Sequence, residues 1–270
     1  MKKPLVIVCA TAYRPFIGGA EIAIEETARR LARDFDFIIL TARMSRNLPC
    51  KETGPEGTII RLGFGVPFDK WVMPIGTLFW FLFGACSKTC YRRSRLPLPG
   101  LVLWGMDISQ GAFGAMLIKM FFPRVPLVFT VQYGESEERL RRGRMGFIAR
   151  GFRAMLMRAD AVTVISSYLL RIVGEYGYQG FSQVIPNGVD TNVFAAKVWE
   201  RKGVIITVSR LVKKNGLDIL IEAFARARQK ISSLRLIIVG DGPEKANLER
   251  LADRLHAGNA ITFRGSVPYR

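Results

Sequence analysis

Arg210, Lys213 and Lys214 fall within one short turn, residues 209–216 (SRLVKKNG), and three cations so close together suit an anionic ligand, above all a phosphate. Near the other end of the chain, residues 11–21 (TAYRPFIGGAE) place Gly18 and Gly19 just ahead of a helical pattern that starts at about Ala20. A glycine pair at that point lets backbone N–H groups approach a bound anion at a helix N-terminus. It is not G-x-G-x-x-G, so it is no dinucleotide fingerprint. A diphosphate held between two such edges would meet cations and helix N-termini that stabilise negative charge growing on a departing phosphate. Each turn taken by itself also fits a plainer role, a solvated basic loop in one case and a glycine pair needed for packing in the other. Carboxylates at candidate binding edges are Glu21, Asp107, Glu135 and Asp241, and none forms an acid/base pair by spacing.

Other chemistries are poorly served. His256 is the single histidine and has no Cys beside it, which excludes a His-based triad and a histidine zinc site. No G-x-x-x-x-G-K-[ST] segment occurs. Asp34 and Asp36 form an acidic D-x-D, but between a helix end and a strand start, at the amino end of the strand. It reads as a solvated turn, and no metal is expected.

The elements that must position these groups alternate strand and helix. Apolar runs predict strands over 5–10, 35–41, 58–64, 101–104, 125–132, 161–165 and 181–185. Helical spacing fits about 20–33, 71–86, 111–121, 145–157 and a segment capped by Ser166-Ser167 that stops near 174–177. Residues 47–57 (NLPCKETGPEG) read as a loop. Such alternation means a parallel sheet with helices on both faces. The pattern breaks at Pro186-Asn187-Gly188 and restarts at Val204 as a buried strand, a helix over 217–229, a buried strand over 234–239, a helix over 244–256 and a strand over 260–263. The expected organisation is a domain over 1–186, a linker over 187–202 and a second, shorter domain over 203–270. Three strands and two helices are few for a Rossmann-like half, so the second domain is expected to be incomplete.

At 270 residues and a formal net charge of +18, the chain favours phosphate-rich partners. Its aromatics do not interleave with its cations as in base-stacking proteins, so no specific nucleic-acid partner is expected. Cys9, Cys50, Cys86 and Cys90 show no metal-pairing motif, and no secretory segment precedes the first strand, which points to a cytoplasmic protein with free thiols. Residues 71–86 (WVMPIGTLFWFLFGAC) carry no charge and are too short to span a bilayer as a straight helix. Lys88, Arg92, Arg93 and Arg95 follow at once. Two readings stand side by side: a helix packed on the sheet, and a monotopic surface for an anionic membrane, peripheral on the inner face of the cell membrane.

Five stretches, in order, resemble the retaining, GT-B-fold glycosyltransferases of family 4: YRPFIGGAE at 13–21, ADAVTVIS at 159–166, VIPNGVD at 184–190, VSRLV at 208–212 and VGDGP at 239–243. The resemblance implies two Rossmann-like doubly wound domains and transfer of a sugar from a nucleotide-sugar to an acceptor, lipid-linked or a glycan precursor, with retained configuration and no metal or other cofactor. Carried over by position, it implies that Gly18 and Gly19 approach the donor diphosphate and sugar and that Arg210 binds the diphosphate. Asp241, Gly242 and the segment from Arg264 to Val267 would flank the base, while Tyr13, Glu21 and Tyr133 would lie on the acceptor side. The family's usual Lys before the turn's Gly is Asn215 here, with Lys214 as the substitute. Gln132 stands where many members carry a His near the reacting sugar; Gln can hydrogen-bond a hydroxyl but cannot serve as a general base. The family's pair of Glu separated by seven residues would lie beyond Arg270, so the 270-residue chain is expected to show little transfer activity. The competing expectation is a non-catalytic module that keeps the diphosphate edge and the membrane face. A NAD-dependent oxidoreductase, a third reading, lacks both the glycine fingerprint and a suitably placed acid.

Overall fold

The computed structural model describes residues 3–16, 18–84, 100–134, 137–195 and 203–267. Glu135, Cys86, Cys90, Lys88, Arg92, Arg93 and Arg95 lie outside the described residues, as do 196–202. The chain divides into two units, Met1–Asp190 and Thr191–Arg270.

The first unit opens with β1 (Leu5–Cys9), α1 (Gly19–Leu31), β2 (Asp36–Ala42), β3 (Lys51–Gly54) and β4 (Gly57–Leu62). Next come α2 (Asp69–Phe79), which runs into a π-helical turn at Trp80–Gly84, β5 (Leu101–Met106), α3 (Gln110–Phe121) and β6 (Leu127–Val131). The unit closes with α4 (Glu137–Arg142), α5 (Phe147–Leu156), β7 (Ala161–Val164), α6 (Ser167–Glu175) and β8 (Phe181–Val184). The eight strands form one sheet in the order β3-β4-β2-β1-β5-β6-β7-β8. Every pairing is parallel except β3 with β4, so the expected loop over 47–57 contains a strand. Its composition, KETG around a Gly-Pro-Glu-Gly turn, hides that strand, because an edge strand needs little apolar content.

Strand alternation sends side chains to opposite faces. Ile7, Cys9, Ile38, Leu40 and Leu103 pack with Met73 and Phe81 from the α2 segment and Ile118 of α3. Val6, Val8, Phe37 and Ile39 pack instead with Ile24 and Ala28 of α1. A separate cluster joins Phe129, Val131, Val162 and Val164 to Phe152 of α5 and Ile172 of α6. Burial pushes the Cys9 thiol up to about 12 and leaves it unreactive, whereas Cys50 is exposed. Ser166 caps α6 as its sequence predicts, accepting from the Leu169 amide at 3.3 Å.

Asp69, fully buried at the first position of α2, ties that helix to the chain before it. Its carboxylate accepts from the backbone amides of Gly65 (2.7 Å), Phe64 (3.0 Å), Val66 (3.1 Å) and Met44 (3.3 Å). Burial alone would raise the Asp69 pKa, but these four amides outweigh it and hold the carboxyl below its ordinary value. A depressed folded pKa contributes stability that is complete above the unfolded value of about 3.9 and is lost as pH falls through the folded value. Asp69→Asn is therefore expected to cost about 2 kcal/mol at neutral pH. In urea titrations the gap between the two proteins should close on acidification below pH ~4; a gap that widens there would refute the assignment.

The second unit contains β9 (Val204–Val208), α7 (Leu217–Lys230), β10 (Arg235–Val239), α8 (Lys245–Arg254) and β11 (Ile261–Gly265). Its three strands are parallel, in the order β11-β10-β9. The core joins Leu236 and Ile238 of β10 to Ile221 and Phe224 of α7 and Leu248 of α8. β9 corrects the expectation of a buried strand: it is an edge strand of this sheet, and Val208 is 71% exposed. Its apolar run matches that of a central parallel strand, so composition alone could not tell the two apart. Among the described residues no helix is long and apolar enough to cross a membrane.

Candidate functional site

The first unit's candidate site lies at the carboxyl ends of its strands, where open α/β sheets bind ligands. Gly18 caps α1 in an extended conformation, and the first helical hydrogen bond runs from Ile22 N to Gly18 O at 3.1 Å. The amides of Gly19, Ala20 and Glu21 thus form the N-terminal turn that can face an anion. A Cβ on Gly19 would meet nothing within 4 Å, whereas one on Gly18 would come within 2.7 Å of Glu21 Oε2. Glu21 therefore folds back over Gly18, and its charge raises the pKa of Asp107.

Asp107 follows β5 directly, in the left-handed region at φ 56°. Burial pushes its carboxyl pKa up, against the pull of the Ile108 and Gln132 amides, and its buried Oδ1 has no hydrogen-bond partner among the described residues. Asp107 and Glu21, far apart in sequence, are thereby brought to one edge. Thr11 binds the same edge together: its hydroxyl accepts from the Gly111 amide (2.9 Å) and donates to Gln110 Oε1 (3.1 Å).

Gln132, after β6, and Asn187, after β8, exchange reciprocal amide hydrogen bonds of 3.1 and 3.3 Å. This pairing reaches past β7, which lies between the two strands in the sheet. It uses one N–H and the carbonyl oxygen of the Gln132 amide and so fixes its orientation, and Asn187 is a partner that sequence reasoning left outside the site. Tyr133 sits beside them, half-buried and packed on the β6/β7 core.

Tyr13 takes a different place from the acceptor side expected of it. It is 1% exposed, and its hydroxyl donates to Glu56 Oε1 at 3.4 Å. Burial, then the Glu56 charge, raises its pKa. Glu56 is fully buried and also accepts from the Arg14 guanidinium. Arg14 contacts Glu25 of α1 at 3.2 Å, and Arg61 of β4 donates to the Arg14 carbonyl at 3.0 Å. The β3–β4 hairpin is thus pinned behind the turn that leads to Gly18 and Gly19. Sequence reasoning missed Glu56, because a Gly-Pro-Glu-Gly segment carries the signature of a solvated turn.

In the second unit, Ser209 to Gly216 is held from both sides. Leu211 is fully buried, its amide donates to Asp241 O (2.9 Å), and its carbonyl accepts from the Glu244 amide (3.0 Å). Asn215, which stands where a Lys was expected, donates its side-chain N–H to Arg210 O at 2.7 Å and so braces the turn. Arg210, Lys213 and Lys214 remain exposed around it. Gly216, at φ 63°, opens α7 just beyond. Asp241 caps its own turn by accepting from the Gly242 amide at 2.7 Å. Arg264 and Val267 are exposed at and beyond the end of β11. His256 is exposed after α8, and Asp36 opens β2 at its amino end, away from the carboxyl edge. No group of three or more metal-capable side chains occurs among the described residues.

Residues 17–193 match the family model for Glycosyltransferase Family 4, and residues 189–270 match the model for Glycosyl transferases group 1. Among curated relatives, a GDP-mannose-dependent alpha-(1-6)-phosphatidylinositol monomannoside mannosyltransferase from Mycolicibacterium smegmatis is 34% identical over 41% of this chain and 32% of its own length. An alpha-monoglucosyldiacylglycerol synthase from Acholeplasma laidlawii is 38% identical over 96% of this chain and 69% of that protein. Sucrose-phosphate synthase from Thermosynechococcus elongatus superposes with a TM-score of 0.70 at 17% identity, covering 98% of this chain and 71% of that one. The matched region spans about a third of the mycobacterial relative's length. The GT-B-type, Rossmann-like α/β architecture expected from the sequence is the observed fold class.

Proposed function

Because this chain belongs to glycosyltransferase family 4, we propose that it takes part in moving a sugar from a nucleotide-sugar to a lipid-borne or glycan acceptor, with retention and without a metal. The observation that carries this reading is the braced turn at Ser209–Gly216. Two sets of backbone bonds and the Asn215 side chain hold it rigid, yet it presents Arg210 beside Lys213, Lys214 and the start of α7. A guanidinium carried on a fixed backbone, with ammonium groups beside it, suits a diphosphate. One relative is named for a phosphatidylinositol monomannoside and another for making a monoglucosyldiacylglycerol, which supports a lipid acceptor here. In this reading the second unit holds the donor through Arg210, Lys214, Asp241, Gly242, Arg264 and Val267. In the first unit the Gly18-Gly19 amides offer an anion site of their own, and Glu21, Gln132 and Tyr133 serve the acceptor side.

Calorimetry of Arg210→Ala with UDP, GDP and ADP tests the reading. A charge-assisted contact is worth about 1.5–3 kcal/mol, a roughly 10- to 150-fold loss of affinity for the nucleotide that the parent chain binds. Unchanged affinity would remove Arg210 from the site. The second reading, a binding module without turnover, draws on one observation: the two residues that depart from the family pattern, Gln132 and Asn215, both make structural hydrogen bonds. Donor binding without any sugar transfer in a radiolabelled-sugar assay of the full-length protein would favour it.

A further inference from the structure

The segment after Gly63 exposes more large apolar side chains than its packing explains. Met73, Thr77 and Phe81 turn inward, spaced four apart, and meet the core. On the opposite side Phe68, Trp71, Ile75, Phe79 and Phe83 recur at spacings of three and four, which places them on one face of the helix and its π-helical continuation. Ile75 is 60% exposed, Phe83 66% and, just before the helix, Phe64 78%. Asp69 fixes Phe64 relative to this helix by binding its amide, so the ridge is held rigid at its N-terminal end. A contiguous apolar ridge of this kind marks an interaction surface.

Charge identifies the occupant. From Lys70 to Met106 the sequence contains no Asp or Glu, but it contains Lys70, Lys88, Arg92, Arg93 and Arg95. Lys70 lies over the Trp71 ring at 5.8 Å, and Arg46 packs against Gly65 beside Phe64. A second copy of the chain would bring the same acid-free stretch and the same +18 charge to the contact. We propose that this ridge is a docking face for an anionic lipid bilayer, in which Trp71, Ile75, Phe79 and Phe83 enter the acyl boundary and Lys70 and Arg46 meet the headgroups. The inference stands on this face alone; it does not rest on sugar transfer, and nucleotide affinity at Arg210 is a separate measurement that can fail without it.

Co-sedimentation of the chain with vesicles of phosphatidylcholine, or of phosphatidylcholine and phosphatidylglycerol in equal parts, provides the test. Binding is expected to the anionic vesicles, with at least a tenfold preference over the neutral ones. Ile75→Glu/Phe79→Glu is expected to lose about tenfold or more of that binding. Its thermal transition and nucleotide affinity should hold, since both positions are exposed. Quenching of Trp71 by bromine-labelled lipid, read against Trp71→Leu as a blank, gives a second readout should the double variant fold poorly. A parent chain that stays off both vesicles, equal binding by the double variant, or equal binding to neutral vesicles would each overturn the proposal. So would self-association of the parent that the double variant abolishes without any vesicle binding, which would assign the ridge to a second copy.

Discussion

Glu56→Ala is expected to destabilise the first unit by about 3–5 kcal/mol, the cost of removing one partner from a buried ion pair. The carboxylate is wholly buried, so the substitution strands the Arg14 guanidinium and the Tyr13 hydroxyl, whose partner it is. Arg14 is 31% exposed and keeps Glu25, which sets the expectation near the lower end of that range. Glu56→Gln retains one acceptor oxygen and the shape, and should cost about half as much. The loss would also reach the site. Arg14 and Tyr13 precede Gly18 by a few residues, and Arg61 holds the Arg14 carbonyl from β4. Freed of Glu56, that stretch retains its Glu25 and Arg61 contacts but loses the buried carboxylate that Arg14 and Tyr13 share. Urea unfolding followed by circular dichroism gives the energy, and amide exchange over residues 11–20 gives the local effect. A cost below about 1 kcal/mol would show that Arg14 and Tyr13 find water or other partners as readily.

What the sequence made legible follows from how each signal arises. Parallel strands announce themselves through apolar runs, and seven of the eight strands of the first sheet were readable for that reason. The eighth, β3, carries Lys51, Glu52, Thr53 and Gly54, and forms because β4 offers it an edge. The apolar run of β9 was readable as a strand but not as an exposed one, because exposure depends on sheet order and not on composition. Site residues divide in the same way. Gly18, Gly19 and Arg210 could be placed because a turn between a strand and a helix is a local feature. Glu56 and Asn187 act through partners 42 and 55 residues away in the chain, Arg14 and Gln132, while Asp107 was placed at its edge by sequence without its partner, the Gln132 amide 25 residues on. Nothing in the local sequence distinguishes a buried Glu in a Gly-Pro-Glu-Gly turn from a solvated one. Tyr13 shows the converse: its motif was recognised, yet its neighbourhood assigns it to the core behind the turn.

Gly240→Ala should cost the second unit about 3 kcal/mol or more, since it adds steric overlap to backbone strain. Gly240 follows β10 at φ 134°, in a region that L side chains rarely adopt. A Cβ there would lie 1.9 Å from the Ser209 carbonyl oxygen, well inside contact distance, and Ser209 immediately precedes Arg210. The backbone has little freedom to retreat, because the Gly240 amide donates to Gly265 O at 2.8 Å and the Ser209 amide to Val239 O at 3.0 Å. Relief must come from moving the Ser209–Arg210 peptide, so the same substitution should weaken nucleotide diphosphate binding if Arg210 holds that ligand. Gly265→Ala separates the two contributions. It has a positive φ of 70°, but its Cβ would enter open space, so it carries the conformational penalty alone, about 1–2 kcal/mol. Hydrogen exchange across β9, β10 and β11 measures both variants in one experiment. If Gly240→Ala opens the sheet no more than Gly265→Ala does, the close approach of the two turns is not what fixes the position of Arg210.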